Sequence, residues 1–237
     1  MNLDRPEIVA ALIDHTLLKP DSSRADIARL CAEARSSSFA SVCINPFWVR
    51  FAKDKLEGSS VPVCTVIGFP LGANETVTKV AEAKSALAHG AKELDVVQNI
   101  GALRSGEVQV VTDELRELAN VAHSSGAILK VILETGLLSI EEKRTACELA
   151  AEAGADFVKT STGFAAGGAT VEDVSLMRSI VGSALGVKAS GGIRTLAALR
   201  QMVQAGATRI GTSSGVNILK EIGSASDEPS AVDAGSY

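Results

Sequence analysis

The chain has 237 residues, of which 46% are hydrophobic, 22% charged and 3% aromatic. This length fits one domain of the α/β-barrel kind, and the apolar fraction excludes disorder over most of the chain. The formal net charge of −5 gives no electrostatic reason to hold nucleic acid or an anionic membrane, so we expect neither partner.

The sequence also predicts a cytoplasmic location. The longest uncharged run, residues 58–74, contains Gly and Pro and falls short of the about 20 apolar residues that a membrane span needs. Asp4, Arg5 and Glu7 precede any apolar stretch, which does not resemble a signal peptide. The four cysteines and three histidines are scattered without metal-ligand spacing, so we expect reduced thiols, no metal and no cofactor.

Short β-like runs alternate with longer helical patterns along the chain. Strands are predicted at residues 12–17, 41–45, 63–68, 94–98, 128–134, 157–161, 187–190 and 209–212. Helices are predicted near residues 23–37, 47–57, 75–89, 107–124, 140–153, 171–183, 195–205 and 216–222. Several strands are rich in Val and Ile, as parallel strands buried on both faces are.

Strand followed by helix, repeated eight times, indicates an α/β fold of the (β/α)8 TIM-barrel type with a short N-terminal helix. The alternative is an open doubly wound sheet, but no Gly-x-Gly-x-x-Gly loop follows an early strand. We assign residues 1–222 to the barrel, the catalytic domain. Residues 223–237 are mostly small and polar, and we predict a flexible C-terminal tail.

Side-chain alternation along the strands directs charged residues into the barrel. Asp95, Lys159 and Lys188 are predicted to face inward, and so are Lys130 and Glu134 of the fifth strand. One interpretation is a structural network in which Lys130 pairs with Glu134, or Lys159 with Asp95. For Lys130 and Glu134 this interpretation and a role in the site both stay open.

For Lys159 and Lys188 a catalytic interpretation is favoured. Repulsion and desolvation would depress the pKa of one amine towards about 7. A neutral amine attacks a carbonyl, which is the first step towards a Schiff base. Lys188 would then be the charged neighbour, and Asp95 would help to transfer protons.

Loops with Gly and Ser follow the seventh and eighth predicted strands. Barrels commonly bind phosphate there, through backbone N–H groups and a helix N-terminus. The predicted phosphate-site residues are Gly191, Gly192, Ser213 and Ser214, and Thr162 and Gly163 after the sixth strand extend this wall.

Two further residues have alternative interpretations. Asp14 lies near the end of the first strand and could face the site. Tyr237 is the only tyrosine and the last residue. It is either an unimportant disordered end or part of a tail that brings a phenol to the substrate as proton donor or acceptor.

Eight motifs carry a resemblance to the deoxyribose-phosphate aldolase family. They are IDHTLL at 13–18, VCINP at 42–46, VIGFPLG at 66–72, ELDVV at 93–97, LKVILET at 129–135, FVKTSTGF at 157–164, VKASGGIR at 187–194 and GTSS at 211–214. The pair of lysine-bearing motifs is the specific part. One departure is Phe164, which stands where some members carry Lys and cannot supply a charge to phosphate.

The resemblance implies a class I aldolase of deoxyribonucleotide catabolism. It would cleave 2-deoxy-D-ribose 5-phosphate reversibly to acetaldehyde and D-glyceraldehyde 3-phosphate, without a cofactor. Lys159 matches the Schiff-base lysine, Lys188 the lysine that tunes it, and Asp95 the acid of the proton relay. Asp14 matches a position near the substrate hydroxyls, and Tyr237 is similar to a tail tyrosine that reaches the site in relatives.

The resemblance further implies a homo-oligomer, a dimer or a tetramer. Three other functions stay open at this point. They are another Schiff-base barrel enzyme such as a transaldolase-like or keto-acid aldolase, a catalytically dead sugar-phosphate-binding barrel, and a phosphate-binding isomerase that uses carboxylate or histidine base chemistry.

Overall fold

The computed structural model describes residues 2–226 of the chain. Its eight strands are β1 (Ile13–Leu17), β2 (Ser41–Ile44), β3 (Val63–Ile67), β4 (Glu93–Val97), β5 (Ile128–Ile132), β6 (Phe157–Lys159), β7 (Gly186–Ser190) and β8 (Arg209–Thr212). All pair in parallel with their neighbours in chain order, and β1 pairs with β8 through Ile13 and Ile210. This closure confirms the predicted (β/α)8 barrel and excludes the open sheet.

Within the described residues, ten α-helices surround the strands. They are α1 (Pro6–Ala10), α2 (Arg24–Ser37), α3 (Val49–Lys55), α4 (Thr76–Ala88), α5 (Ile100–Arg104), α6 (Val108–Ser124), α7 (Ile140–Glu152), α8 (Val171–Val181), α9 (Leu196–Gln204) and α10 (Gly215–Ser226). The helix α1 is the predicted short N-terminal helix, whereas the sequence analysis missed α5. No helix among residues 2–226 has the length and apolar character needed to cross a membrane.

Several helices begin where the sequence supplies capping groups. Ser23 and Ser139 each form a reciprocal capping box, with Asp26 and Glu142 respectively, and Thr170 caps α8. These side chains satisfy backbone N–H groups that the first helical turn leaves without partners. The caps therefore fix where α2, α7 and α8 start against the barrel.

The main core lies between the strands and the helices. In β4 and β5, alternate residues such as Leu94, Val96, Leu129 and Val131 are fully buried in this layer. The residues between them point into the barrel, where the charged side chains lie. The strands therefore place apolar groups outward and ionisable groups inward, and both layers are buried.

The tail lies mainly outside the described part of the chain. Helix α10 extends to Ser226, and residues 227–237 lie outside the described residues. The predicted division between barrel and tail, and the role predicted for Tyr237, stay predictions.

Candidate active site

Lys159 is the last residue of β6, and its side chain borders a cavity at the carboxyl ends of the strands. The cavity has a volume of about 390 Å³, within the usual range of small-molecule sites. The Lys159 ammonium lies 2.8 Å from Asp95 Oδ2, as one predicted pairing had it. Among residues 2–226, Lys159 is the one lysine on a barrel strand that lines this cavity.

Lys188 lies beside Lys159 on the neighbouring strand β7. Its ammonium contacts Asp95 at 2.7 Å and Asp14 at 2.5 Å, and the side chain is fully buried. It lies below the cavity rather than on its wall. The two lysines thus share one carboxylate oxygen, Asp95 Oδ2, although only Lys159 reaches the cavity.

Lys130 on β5 completes the lysine cluster. Its ammonium contacts Glu93 at 2.6 Å and Asp95 at 2.8 Å, and it lies 3.6 Å from Asp14. The predicted pairing of Lys130 with Glu134 is wrong. The strand β5 ends at Ile132, and Glu134 adopts a left-handed backbone conformation (φ 56°) that breaks the alternation of side chains.

Glu134 instead holds the loop after β6. It accepts hydrogen bonds from the backbone N–H of Thr162 and from its hydroxyl group. Thr162 lines the cavity, but both of its donors are directed to Glu134. The substrate contact predicted for Thr162 stays a prediction.

Arg209 and Glu93 also belong to the buried cluster, and the sequence analysis missed both. Arg209 contacts Asp14 at 2.8 Å and Glu93 at 2.6 Å. The alternation of side chains along a strand could have predicted both residues. Glu93 precedes Asp95 by two positions on β4, and Arg209 precedes Gly211 by two positions on β8, so the members of each pair share a face of their strand. Their side chains therefore enter the same interior.

The carboxylates of the cluster are stabilised in their ionised form. Burial alone would raise the pKa of Asp95, but Lys130, Lys159 and Lys188 together hold that pKa well below its ordinary value. Burial opposes ionisation of Asp14 in the same way, and Lys188 and Lys130 again lower its pKa. Both groups are therefore carboxylates at neutral pH.

Two of the lysines are held in their charged form. Burial would lower the pKa of Lys188, but Asp14 and Asp95 raise it above the ordinary value. Burial would also lower the pKa of Lys130, and Asp95 is the first of several neighbours that raise it. Lys130 and Lys188 therefore stay protonated.

The number of carboxylate partners falls across the three lysines. Lys130 contacts three carboxylates, Lys188 two and Lys159 only one. With Lys159 charged, the interior holds four cations, counting Arg209, against three carboxylates. With Lys159 neutral the two signs balance. Lys159 is therefore the cluster lysine with the fewest carboxylate partners, and it is the one that lines the cavity.

Among residues 2–226, sulfur and carboxylate groups meet at two places that could offer ligands to a metal. Cys43, Cys64 and Asp95 form one set, and Asp14, Cys64 and Glu93 form the other, with ligand atoms within 4.8 Å of one another. The carboxylates in both sets already face the buried cations. Burial also holds the pKa of Cys64 well above its ordinary value, so it remains a thiol rather than the thiolate that Zn²⁺ binds. These residues fit an amine mechanism better than a metal site.

The predicted phosphate loops form the upper wall of the cavity. Gly163, Gly191, Gly192 and Ser213 all line it. The first three have positive φ angles of 83°, 94° and 81°, which glycine adopts without strain. Ser214, which precedes α10, donates its N–H to the Thr212 hydroxyl at 2.9 Å. These four predicted loop residues thus line the cavity and Ser214 does not, and phosphate binding by these loops stays a prediction.

The family assignment follows from this geometry together with the comparisons. A family model described as DeoC/LacD family aldolase matches residues 8–222. The chain belongs to the DeoC/LacD family of aldolases. It is 56% identical over 212 residues to deoxyribose-phosphate aldolase of Geobacillus sp., covering 90% of this chain and 95% of that protein. It is 54% identical over 225 residues to the enzyme of the same name from Bacillus cytotoxicus, covering 95% and 98%.

A solved structure of this aldolase family supports the same fold. The deoxyribose phosphate aldolase of Aeropyrum pernix, described as tetrameric, superposes with a TM-score of 0.88 at 37% identity. The alignment covers 93% of this chain and 93% of that chain. The resemblance found in the motifs is thereby confirmed over the whole barrel.

Two cations of this aldolase at the cavity rim were not predicted. Lys19, in the loop after β1, and Arg194, after β7, both line the cavity and are exposed. Within residues 2–226 neither side chain has a hydrogen bond or ion pair. Phe164, whose lack of charge was noted from the sequence, also lines the cavity and packs edge-on against Phe69 at 5.3 Å. The rim therefore has an apolar side and a cationic side.

Proposed function

We propose that this chain is a class I aldolase that cleaves 2-deoxy-D-ribose 5-phosphate reversibly to acetaldehyde and D-glyceraldehyde 3-phosphate. The observation that carries the proposal is the position of Lys159. It is a strand lysine with a single carboxylate partner, and it lines a cavity that glycine-rich loops also line. The close relatives named deoxyribose-phosphate aldolase support the choice of substrate.

The Lys159 amine performs the first step. As a neutral amine it attacks the C1 carbonyl of the open-chain sugar, and loss of water gives an iminium ion. This ion restores the positive charge that Lys159 gave up, next to the Asp95 carboxylate. The buried cluster is therefore arranged to stabilise a cation on the Lys159 nitrogen.

The iminium ion then acts as the electron sink for bond cleavage. The C3 hydroxyl loses its proton, the C2–C3 bond breaks, and its electron pair moves to the nitrogen as an enamine while D-glyceraldehyde 3-phosphate leaves. Protonation of C2 and hydrolysis release acetaldehyde and regenerate Lys159. Asp95 carries protons in these steps, because its Oδ2 atom accepts from both Lys159 and Lys188.

The glycine-rich loops bind the phosphate. Backbone N–H groups of Gly191, Gly192 and Ser213, the last of these just before α10, supply this role. Lys159 and these loop residues line the same cavity, so one sugar phosphate can contact both. Tyr237, if its tail reaches the mouth, would add a phenol for protonation of C2.

We further propose a homo-oligomer, a dimer or a tetramer, that acts in the cytoplasm. The relative from Aeropyrum pernix is tetrameric, and Phe47, Leu71 and Val77 expose 82%, 73% and 68% of their surface. Large exposed apolar side chains mark surfaces that other proteins cover. Light scattering coupled to gel filtration measures the state, and a monomer at micromolar concentration would contradict this proposal.

Borohydride trapping tests the proposed reaction. The protein is incubated with 2-deoxyribose 5-phosphate and borohydride, and peptides are then identified by mass spectrometry. We expect a reduced adduct on Lys159. An adduct on Lys188 would reverse the roles of the two lysines. No adduct on folded protein at saturating substrate would remove the Schiff-base mechanism and leave an isomerase or a binding barrel.

A further inference from the structure

Glu134 has a backbone conformation that its residue type does not favour. Its φ and ψ angles of 56° and 62° lie in the left-handed region, where glycine and asparagine are the usual residues. The residue is only 3% exposed and stands two positions after Ile132, the last residue of β5. A strained backbone of this kind persists where the surrounding contacts require it, so the contacts of Glu134 indicate its role.

An extra residue in the ladder between β5 and β6 accounts for this conformation. The Leu133 N–H donates to the Lys159 carbonyl at 2.9 Å. The Thr135 N–H then donates to the very next carbonyl, that of Thr160, at 3.0 Å. The first segment thus advances by two residues while the second advances by one, which leaves Glu134 as the extra residue of a β-bulge. The bulge directs the Glu134 side chain to the loop after β6 rather than into the charged cluster of the barrel.

The carboxyl group of Glu134 fixes the position of Thr162. It accepts hydrogen bonds from the Thr162 N–H, at 3.2 Å from Oε2, and from the Thr162 hydroxyl group. Because this hydroxyl donates to Glu134, its oxygen is free to accept from the Phe164 N–H, at 3.1 Å. Glu134 therefore holds the turn at residues 162–164 through a single threonine.

This turn leaves one backbone donor for a ligand. The N–H groups of Thr162 and Phe164 are engaged, whereas the Gly163 N–H has no hydrogen-bond partner among residues 2–226. Gly163 is exposed, lines the cavity and has a φ angle of 83°. Backbone N–H groups of glycine-rich turns bind phosphate oxygens. The Gly163 N–H is therefore the donor of the turn that remains for a bound phosphate.

We propose that Glu134 is a positioning residue for the phosphate group of the substrate, an inference that rests on the proposed function. Its carboxyl group does not touch the substrate. It orders residues 162–164 before the substrate arrives, and an ordered loop binds more tightly because binding no longer has to immobilise it. Positioning favours phosphate binding, whereas the negative charge of a carboxylate opposes it, so the sign of a mutational effect separates the two.

Glu134→Ala tests the inference with a phosphorylated and an unphosphorylated substrate. We expect KM for 2-deoxyribose 5-phosphate to rise about tenfold, the value of about one hydrogen bond to a charged group, and kcat to change by less than about twofold. For 2-deoxyribose, kcat/KM should change by less than about twofold. An equal loss with both substrates would overturn the inference. A lower KM for the phosphorylated substrate would also overturn it, because Glu134 would then act only through its charge.

Two further substitutions separate the carboxyl group from the backbone strain. Glycine adopts a φ angle of 56° without strain, so Glu134→Gly should melt at a higher temperature than Glu134→Ala and yet show the same rise in KM. Glu134→Gln keeps an oxygen that accepts from the Thr162 N–H, so its KM should lie between those of wild type and Glu134→Ala. A wild-type KM in Glu134→Gly would assign the effect to the strain and contradict the proposal.

Asp156→Ala is the matched control. Asp156 directly precedes β6, and its Oδ2 atom accepts from the Leu129 N–H of β5 at 2.7 Å. It thus joins the same two strands by the same kind of hydrogen bond, but it does not line the cavity. We expect this variant to lose stability and to keep the wild-type ratio of kcat/KM for the two substrates. A change in that ratio as large as the one in Glu134→Ala would make the effect a general consequence of destabilisation and overturn the inference.

Titration with inorganic phosphate separates this inference from the proposed function, because it does not depend on the reaction. We expect the Kd for inorganic phosphate to rise about tenfold in Glu134→Ala. Borohydride trapping of acetaldehyde on Lys159 is performed on every variant. If wild type is not trapped, the proposed function fails, and the titration still decides the role of Glu134. If wild type is trapped but both proteins bind phosphate equally, only the role of Glu134 fails.

Discussion

Buried lysines occur in two regions of this molecule, and their electrostatics differ. Outside the barrel, Lys79 of α4 is fully buried and contacts Glu114 of α6 at 2.6 Å. Burial lowers the pKa of Lys79 and raises the pKa of Glu114, and each partner only partly offsets this. Inside the barrel the pKa values of Asp14 and Asp95 are lowered instead.

This difference shows that the number of oppositely charged partners, rather than burial alone, decides whether a buried group stays ionised. A single partner does not compensate for the desolvation of Lys79, which accords with the modest value of isolated buried pairs. In the barrel each carboxylate faces several cations, so ionisation is favoured. Lys159 combines a single carboxylate partner with access to the cavity, and this combination distinguishes the proposed nucleophile from the other buried lysines.

The largest effect is expected for Lys159→Leu. The substitution removes the proposed nucleophile, so kcat/KM for 2-deoxyribose 5-phosphate should fall by about 10⁴-fold or more. It also leaves three cations facing three carboxylates, so the free energy of unfolding should stay within about 1 kcal/mol of wild type. Steady-state kinetics and urea denaturation measure the two quantities.

Lys188→Leu is the control for this charge argument. It removes a cation that contacts both Asp14 and Asp95, and among residues 2–226 it leaves Asp14 Oδ2 with the Lys130 ammonium, at 3.6 Å, as its remaining ion-pair partner. We expect a loss of about 3–5 kcal/mol in unfolding free energy, the usual cost of breaking a buried pair. Equal stability of the Lys159 and Lys188 variants would break the distinction between the two lysines.

The next largest effect is expected for the outer pair, Lys79 and Glu114, which lies outside the barrel. Lys79→Met removes the ammonium that contacts Glu114 at 2.6 Å and the Val97 carbonyl at 2.9 Å, and it leaves the Thr76 hydroxyl, at 3.3 Å, as a donor to Glu114. We expect a loss of about 3 kcal/mol in stability, whereas Lys79→Met with Glu114→Leu should recover to within about 1 kcal/mol of wild type. Both variants should retain kcat. A double variant as unstable as the single one would show that the pair stabilises the fold.

The pH dependence of stability should also separate the two regions. Asp14 and Asp95 have folded pKa values below the unfolded value of about 3.9, so the unfolded chain binds more protons as the pH falls through that value. Their stabilisation is present above about pH 4 and is lost below it. The raised pKa values of Lys130 and Lys188 keep their contributions intact until the pH exceeds about 10.

We therefore expect the free energy of unfolding to fall by about 2 kcal/mol or more between pH 5 and pH 3. Glu114 has the opposite effect on the free energy of unfolding. Its pKa is raised in the folded protein, so the folded protein takes up this proton at a higher pH than the unfolded chain does. Urea denaturation at each pH measures the slope. The double variant at positions 79 and 114 should keep this loss or steepen it, and a flatter slope would assign the acid sensitivity to the outer pair.

Most of the barrel could be predicted because the physical signals are local. Runs such as Val63–Ile67 contain the β-branched residues of buried parallel strands, and alternation places Asp95, Lys159 and Lys188 inside. Glu134 escaped prediction because one left-handed residue ends the alternation. The short helix α5 escaped because five residues carry too little periodicity to be recognised.

The site was harder to predict where it depends on the paths of loops. Ser161 and Ser190 have the same spacing from a lysine, yet only Ser190 lines the cavity. Lys19 precedes a proline in a polar loop and has no sequence pattern that assigns it to the substrate. Such residues become visible only once the barrel has closed and has placed β1 beside β8.

The smallest effect is expected at the cavity rim, where cations are exposed rather than buried. Lys19→Ala and Arg194→Ala should each raise KM for 2-deoxyribose 5-phosphate by about tenfold, the value of one charge-assisted contact, with little change in kcat. Lys53→Ala is the control, because Lys53 is an exposed cation that does not line this cavity.

Salt and the choice of substrate sharpen this last prediction. Exposed charges are screened, so the effect of each rim substitution should shrink as ionic strength rises, whereas that of Lys159→Leu should not. Unphosphorylated 2-deoxyribose should be cleaved equally by wild type and by both rim variants. If Lys19→Ala lowered kcat for both substrates, Lys19 would act on the chemistry, and the distinction between buried cations that catalyse and exposed cations that bind would fail.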